Sequence, residues 1–283
     1  MLRYKKILVA IDGSETSLHA LKESFKFVQK GGCEITVVSV VPPYTGDLDL
    51  VSVGDIMGSM KKPYQDALSQ ADELAKTEGV SIKTICEEGE IYERVVDLAK
   101  SENYDLIVVG RRGLRRLERI LVGSVTARII GHTQKDVLVI PGDTVIGWEN
   151  VLLATDGSKC SQGATERAIS FTKSYHRELK VVSVVDVPTE FYGEAPEVAE
   201  TLIQQAKGFV DEVKEKAEAD GIKVVTFVRE GEAYKVITEL AKNEKVDVIF
   251  MGSHGRTGLK RVLMGSVTEE VIGHTPCPVV VVK

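Results

Sequence analysis

Two stretches of this 283-residue chain carry residue types whose spacing suits anion chemistry. Gly110–Ser124 is GRRGLRRLERILVGS and Gly252–Ser266 is GSHGRTGLKRVLMGS, both of the form G-x2-G-x9-G-S. Glycines at fixed places let backbone N–H groups approach an anion with no Cβ in the way. The closing pairs, Gly123–Ser124 and Gly265–Ser266, open helical patterns, whose free N–H groups and dipole favour phosphate. A bland explanation competes: glycine serves many strand-to-helix turns, and Ser266 with Glu269 has the spacing of a capping box. Identical spacing in two otherwise divergent copies tips the balance towards binding.

An aspartate follows the first apolar run of each copy, Asp12 in VAIDGS and Asp156 in LATDGS. Asp-Gly-Ser ahead of a helix is also an ordinary cap or turn. His132 and His274, both in IGHT, lack acidic or cysteine partners at ligand spacing, and a structural role is expected of them. Cys33, Cys86, Cys160 and Cys277 form no C-x-x-C pair and have no histidine partner pattern. That argues against a disulfide scaffold, a cysteine zinc site or a cysteine nucleophile, and for a reducing cytoplasm. Neither G-x4-G-K-[ST] nor G-x-G-x-x-G occurs in the loops. No general base, nucleophile or carboxylate metal cage emerges, so binding rather than efficient catalysis is expected, with no metal ligand and no catalytic residue assigned.

The elements that must position these residues come twice. VAIDGSETSLHAL (9–21) is answered by LATDGSKCSQGAT (153–165), and GSVTARIIGHT (123–133) by GSVTEEVIGHT (265–275). Asp12 to Asp156 is a shift of 144 residues and Gly123 to Gly265 one of 142, so the second copy is two residues shorter between Val185 and Glu230. Copies of this size fold as domains, and Pro141, Gly142 and Gly147 mark the break, giving domains 1–145 and 146–283. Within each copy short apolar runs alternate with helical spacing. In the first these are strands at 6–11, 34–41, 80–86, 105–110 and 136–140, with helices at 14–30, 61–78, 91–100 and 124–130. Such alternation predicts an α/β fold, two copies of a doubly wound five-stranded parallel sheet flanked by helices. ILVAI, LIVVG, VIFMG and VVVV are apolar throughout, as strands covered on both faces should be. In such sheets ligands bind at the carboxyl ends of strands, where Asp12, Asp156, Val40, Val184, Gly110 and Gly252 all fall.

With 36 basic and 42 acidic side chains the net charge is −6, which argues against nucleic acid as a partner. No apolar stretch approaches the ~18 residues of a membrane span. The basic N-terminus is followed only by the short run Ile7–Ile11, too short for a secretory signal. The charged stretches 61–78 and 200–220 alternate sign at helical spacing, as solvated helix faces do.

The DGS aspartates, the VVSVV runs and G-x2-G-x9-G-S together resemble the ATP-binding branch of the universal stress protein family, as a tandem two-domain member, over essentially the whole chain. GSHGRTGLKR and TPCPVVVV are especially similar to that family. The resemblance implies that the aspartate meets the ribose, that backbone at the end of the second strand recognises adenine, and that the glycine loop and its serine wrap the phosphates. By position this gives Asp12, Val40, Gly110, Gly113, Gly123, Ser124 and Val125 for one site. Asp156, Val184, Gly252, Gly255, Gly265, Ser266 and Val267 give the other, and Ala10 and Ala154 line the adenine pockets. The implied ligand is ATP or another adenine nucleotide, with Mg²⁺ as a candidate companion, in a stress-response or regulatory protein. The alternatives are a slow ATP hydrolase or adenylate-transferring enzyme on the same fold, and an interaction protein that binds no nucleotide. The resemblance also implies pairing of the two copies through Val137–Ile140 and Val279–Val282 as an internal pseudo-dimer, and a homodimer of the whole chain. Copy one departs from the family loop, with Arg111, Arg112, Arg115, Arg116 and Arg119 in one stretch and Arg116 at the counterpart of Gly258. Those arginines grip phosphate, cover an acidic surface or hinder the loop's fold, and the second copy is expected to be the better site.

Overall fold

The computed structural model describes residues 4–43, 56–113, 121–187, 193–256 and 264–283. The chain divides into two compact units, Tyr4–Asp143 and Thr144–Lys283. The first runs β1 (Lys6–Ala10), α1 (Glu15–Gly31), β2 (Glu34–Val41), α2 (Ile56–Thr77), β3 (Ile82–Glu88), α3 (Ile91–Ser101), β4 (Leu106–Gly110), α4 (Ser124–His132) and β5 (Asp136–Ile140). The second repeats it as β6 (Asn150–Ala154), α5 (Lys159–Tyr175), β7 (Glu178–Val185), α6 (Pro196–Ala219), β8 (Val224–Glu230), α7 (Ala233–Asn243), β9 (Val248–Gly252), α8 (Ser266–His274) and β10 (Val279–Val282).

The strand order is β3-β2-β1-β4-β5 in the first unit and β8-β7-β6-β9-β10 in the second, with parallel pairing within each. Growth of the sheet therefore reverses between β1 and β4, and between β6 and β9, which opens a crevice at the carboxyl edge. β4, β5, β9 and β10 are buried along their length, as their unbroken apolar runs require, whereas the edge strands β3 and β8 are partly exposed.

Local chemistry fixes the helix that follows each first strand. Ser14 caps α1 by accepting from Ser17 N at 3.2 Å, and Ser158 caps α5 by accepting from Ser161 N at 3.3 Å. Gly32, at φ 64°, ends α1 in the left-handed conformation, and His176 does the same for α5 at φ 54°. The two long charged helices are amphipathic: Ala67, Leu68, Ala71 and Ala75 of α2 are buried, as are Ala199, Ala206, Val210, Val213 and Ala217 of α6. Among the described residues, no helix is long and apolar enough to cross a membrane.

The capping box expected at Ser266 and Glu269 does not form. Gly265 is the N-cap of α8 and Ser266 is its first helical residue, so the serine stands one position too late to cap. Gly123 holds the same place ahead of α4.

Candidate functional site

In the second unit, all eight residues singled out by the sequence line one cavity of about 150 Å³ at the carboxyl edge. They are Ala154, Asp156, Val184, Gly252, Gly255, Gly265, Ser266 and Val267. Four elements bring them together: the end of β6, the end of β7, the loop after β9 and the start of α8.

One wall of the cavity is backbone. Thr155 N donates to Val182 O at 2.9 Å, the last rung on the β6 side, while β7 continues to Val185. Strand residues alternate in direction, and Val185 O faces the other way, accepting from Gly231 N at 3.0 Å. The N–H and C=O of Val184 thus point into the gap left where β6 has ended. The first unit shows the same pattern, with Ile11 N donating to Val38 O at 2.9 Å and Gly89 N to Val41 O at 3.0 Å, which turns the backbone of Val40 inward.

The opposite end of the cavity is the start of α8. Its first intrahelical bond is Glu269 N to Gly265 O at 3.0 Å, so the N–H groups of Ser266, Val267 and Thr268 precede the ladder. The N-cap is glycine and has no side chain to satisfy them. Thr268 Oγ1 donates to Gly252 O at 3.0 Å and Thr126 Oγ1 to Gly110 O at 3.0 Å, which pins each helix start to the end of its neighbouring strand. The loops close identically, by Gly265 N to Ser253 O at 2.8 Å and Gly123 N to Arg111 O at 2.9 Å.

Between these ends lies Asp156. Its Oδ1 accepts from Ser158 N at 3.0 Å, which is the local turn that Asp-Gly-Ser predicts, and its Oδ2 accepts from Arg256 N at 3.0 Å. Arg256 Nε donates to Asp156 O at 2.6 Å, and its guanidinium lies 4.4 Å from the centre of the Phe209 ring on α6. Asp12 Oδ1 accepts from Ser14 N at 3.0 Å and from Ser14 Oγ at 2.6 Å.

The loop glycines have structural reasons of their own. A Cβ at Gly252 would stand 2.7 Å from Cys160 C, and one at Gly265 3.3 Å from His254 Cα. At Gly110 it would meet Thr16 O at 3.1 Å and at Gly113 it would strike Asp12 Oδ2. Glycine here serves first to fold the loop tightly against α1 or α5 and the aspartate, and the exposed backbone at the helix start follows from that folding.

Sequence reasoning missed Ala233 and Ile237 of α7, Val182, Met251, Thr155, Ser161, His254 and Thr268, which complete the cavity lining. The α7 pair was hidden because helical apolar spacing looks the same whether it covers a core or a cleft. His254 corresponds to Arg112 in the first unit. Arg111 beside it has its guanidinium pushed below the ordinary value by burial and by the neighbouring Arg112 charge. Arg115, Arg116, Arg119 and Gly258 lie outside the described residues. His132 Nδ1 bonds to Arg128 O at 2.8 Å and His274 Nδ1 to Glu270 O at 2.9 Å, with rings against Tyr92 and Tyr234, and His274 does have an acidic neighbour, Glu270, whose Oε2 lies 3.4 Å from Nδ1.

A doubled Rossmann-like α/β unit, each with a cap-free helix start beside its switch point, defines the class as a tandem doubly wound protein. The universal stress protein family model matches residues 3–141 and again 147–283, and the chain belongs to that family. It is 38% identical over 141 residues to a universal stress protein of Methanocaldococcus jannaschii, covering 48% of this chain and 82% of that one. Over 294 residues it is 26% identical to one from Mycolicibacterium smegmatis, covering 98% and 96%. Its fold is similar to that of a universal stress protein from Archaeoglobus fulgidus, with a TM-score of 0.77 at 24% identity over 99% and 97% of the two chains.

Proposed function

We propose that the chain binds an adenine nucleotide in the cleft of the second unit and, more weakly, at the matching edge of the first. In this reading it acts as a stress-response or regulatory protein whose signal is the bound nucleotide. The observation that carries this is the convergence of all eight sequence-chosen residues on one cavity with complementary ends. The inward N–H and C=O of Val184 suit the donor and acceptor edge of adenine, and Ala154, Val182 and Met251 supply apolar contact. Asp156 is the acceptor for ribose hydroxyls. The three N–H groups opening α8, with Ser266, receive phosphate. Asp12, Val40, Ala10, Gly110, Gly113, Gly123, Ser124 and Val125 play the same parts in the first unit.

Asp156 is the only carboxylate lining the described cleft, and both its oxygens already accept backbone N–H groups. A Mg²⁺ ion fits there only as a companion of the phosphates, with Ser266 Oγ as the protein oxygen that would hold it, which is how Mg²⁺ commonly binds with nucleotides. The test is to denature freshly purified protein and identify any released nucleotide by mass, with calorimetric titration of the emptied chain. Release of no nucleotide, together with no heat on titration with ATP, ADP or AMP, sinks the proposal and favours an interaction protein.

A further inference from the structure

The two units share their cleft backbone but not the residue at the mouth. In the second unit Ala233, the first residue of α7, lines the cavity beside Val184. In the first unit the equivalent first residue of α3 is Ile91. Equivalence here rests on geometry. Glu232 leads into α7 at φ −67°, ψ 115°, and Glu90 leads into α3 at φ −65°, ψ 120°. The preceding glycines, Gly231 at φ 128° and Gly89 at φ 137°, share a backbone shape that side chains rarely adopt. Each donates its N–H to the last strand carbonyl, Gly231 to Val185 O and Gly89 to Val41 O, both at 3.0 Å. Residues 91 and 233 therefore leave the backbone at the same place relative to Val40 and Val184, and Ile91 carries three more carbon atoms from that point.

Burial agrees with the difference. Val184 is partly exposed where the cleft opens over it, whereas Val40 is 3% exposed. Two other counterparts are smaller in the first unit, Val95 for Ile237 and Val109 for Met251, but all four are buried, at 0, 4, 4 and 5%. Val95 and Val109 leave more room deep in the first unit's cleft, but they do not widen its mouth, where Ile91 and Ala233 are both partly exposed.

We propose that residue 91/233 sets the capacity of each unit for the base: Ala233 admits a two-ring heterocycle against the Val184 backbone, and Ile91 narrows the same place in the first unit. This rests on the adenine-nucleotide reading above and assigns the inequality of the two sites at the mouth over the base to one side chain. Arg112, the first unit's counterpart of His254, stands in the glycine loop and is a separate influence.

The experiment uses the full chain, stripped of nucleotide, titrated with ATP by calorimetry for stoichiometry and affinity. One methylene in an apolar pocket is worth about 10–200-fold in discrimination, so Ala233→Ile should weaken the tighter site by ~10-fold or more. Ile91→Ala should strengthen the weaker site or reveal a second equivalent of bound ATP. Adenosine should report the same changes, since it lacks the phosphates that the loop arginines would touch. Thermal melts identify a misfolded Ala233→Ile, and Ile91→Ala then decides alone. Unchanged affinities in a folded Ile91→Ala and a folded Ala233→Ile overturn the proposal while leaving nucleotide binding intact. A wild-type chain that takes up no adenine nucleotide overturns both.

Discussion

Asp156 Oδ2 occupies the space beside Gly255 so closely that a Cβ on that glycine would lie 2.7 Å from it. Asp12 and Gly113 stand in the same relation in the first unit. The aspartate after the first strand and the second glycine of the loop are thus one device, although 99 residues separate Asp156 from Gly255. The loop comes down onto the carboxylate, and Arg256 N completes the contact at 3.0 Å.

Gly255→Ala should therefore weaken ATP binding in the second unit by about 10-fold or more by lifting the loop off Asp156. Global stability should change by roughly 1 kcal/mol or less, since the loop is superficial. Gly265→Val should act more strongly, because its side chain meets backbone at 3.3 Å and shields the N–H groups that open α8. Calorimetric titration beside a thermal melt checks both variants. Full affinity in Gly265→Val would show that the helix start is not where phosphate binds.

Replacing Asp156 separates its two parts. Asp156→Ala strips the acceptor from Ser158 N and Arg256 N, and hydrogen bonds to a charged group are worth roughly 1.5–3 kcal/mol each. Asp156→Asn can keep the bond from Ser158 N but turns an NH₂ towards either Arg256 N or the ribose. Both variants should lose ATP affinity, by about 10–100-fold, while Asn should retain more of the thermal stability. Equal melting temperatures for wild type and Asp156→Ala would contradict the structural half of this assignment.

Much of this was legible because its causes are local or periodic. Apolar runs such as LIVVG and VIFMG announce strands covered on both faces, and the Asp-Gly-Ser segments do lead into helices, with Ser14 and Ser158 as the caps. The candidate site residues came from the family resemblance, and they lie at strand ends and helix starts, with all eight of the second unit lining one cavity. Three things were not legible. Ser266 looks like a cap, yet the chain turns one residue earlier, because Gly265 must hug His254 and bond back to Ser253. The glycine spacing looks like a phosphate signature, yet each described missing Cβ faces protein, a relation that only tertiary contact reveals. Ala233 and Ile237 reach the cleft only because α7 lies beside β7, and nothing in an apolar helical stripe says which surface it will meet.

The buried thiols give a pH signature. Burial pushes Cys277 from an ordinary 9.0 up to about 12, with the Thr275 hydroxyl a lesser, opposing influence, and burial pushes Cys33 to about 11. A folded-state value above the unfolded one means that the native chain holds its proton longer, so stability is intact below about pH 9 and falls as pH rises towards 12. For Cys277, 4% exposed, the loss should approach about 1.4 kcal/mol per pH unit in that window. Urea midpoints at pH 8 to 11, for wild type and Cys277→Ala, should converge as pH rises. A constant gap between them would refute the assignment. Neither thiol should react with a disulfide reagent at pH 8 until the protein is denatured, whereas exposed Cys86 should react in the native state.

ATP bound in this cleft should be turned over slowly or not at all. Affinity needs only what the described site supplies: inward backbone at Val184, an acceptor at Asp156 and free N–H groups at α8. Rapid phosphoryl transfer needs a positioned water, a base or orienting residue for it, and charge stabilisation acting together. Asp156 accepts from Ser158 N and Arg256 N and, in this reading, from the ribose hydroxyls, which leaves it no lone pair for a water's proton. Arg256 donates its Nε to Asp156 O, with its guanidinium 4.4 Å from the Phe209 ring centre. His254 lines the cavity with its Nδ1 3.3 Å from Ser253 Oγ, but a single imidazole contributes at best one of those functions. Steady-state hydrolysis should fall well below the ~1–10³ s⁻¹ typical of enzymes. Phosphate release followed over hours, with and without Mg²⁺, measures it. A rate inside the enzymatic range, lost in both Asp156→Ala and His254→Ala but kept in Asp12→Ala, would make the second unit an ATPase and the bound-signal reading wrong.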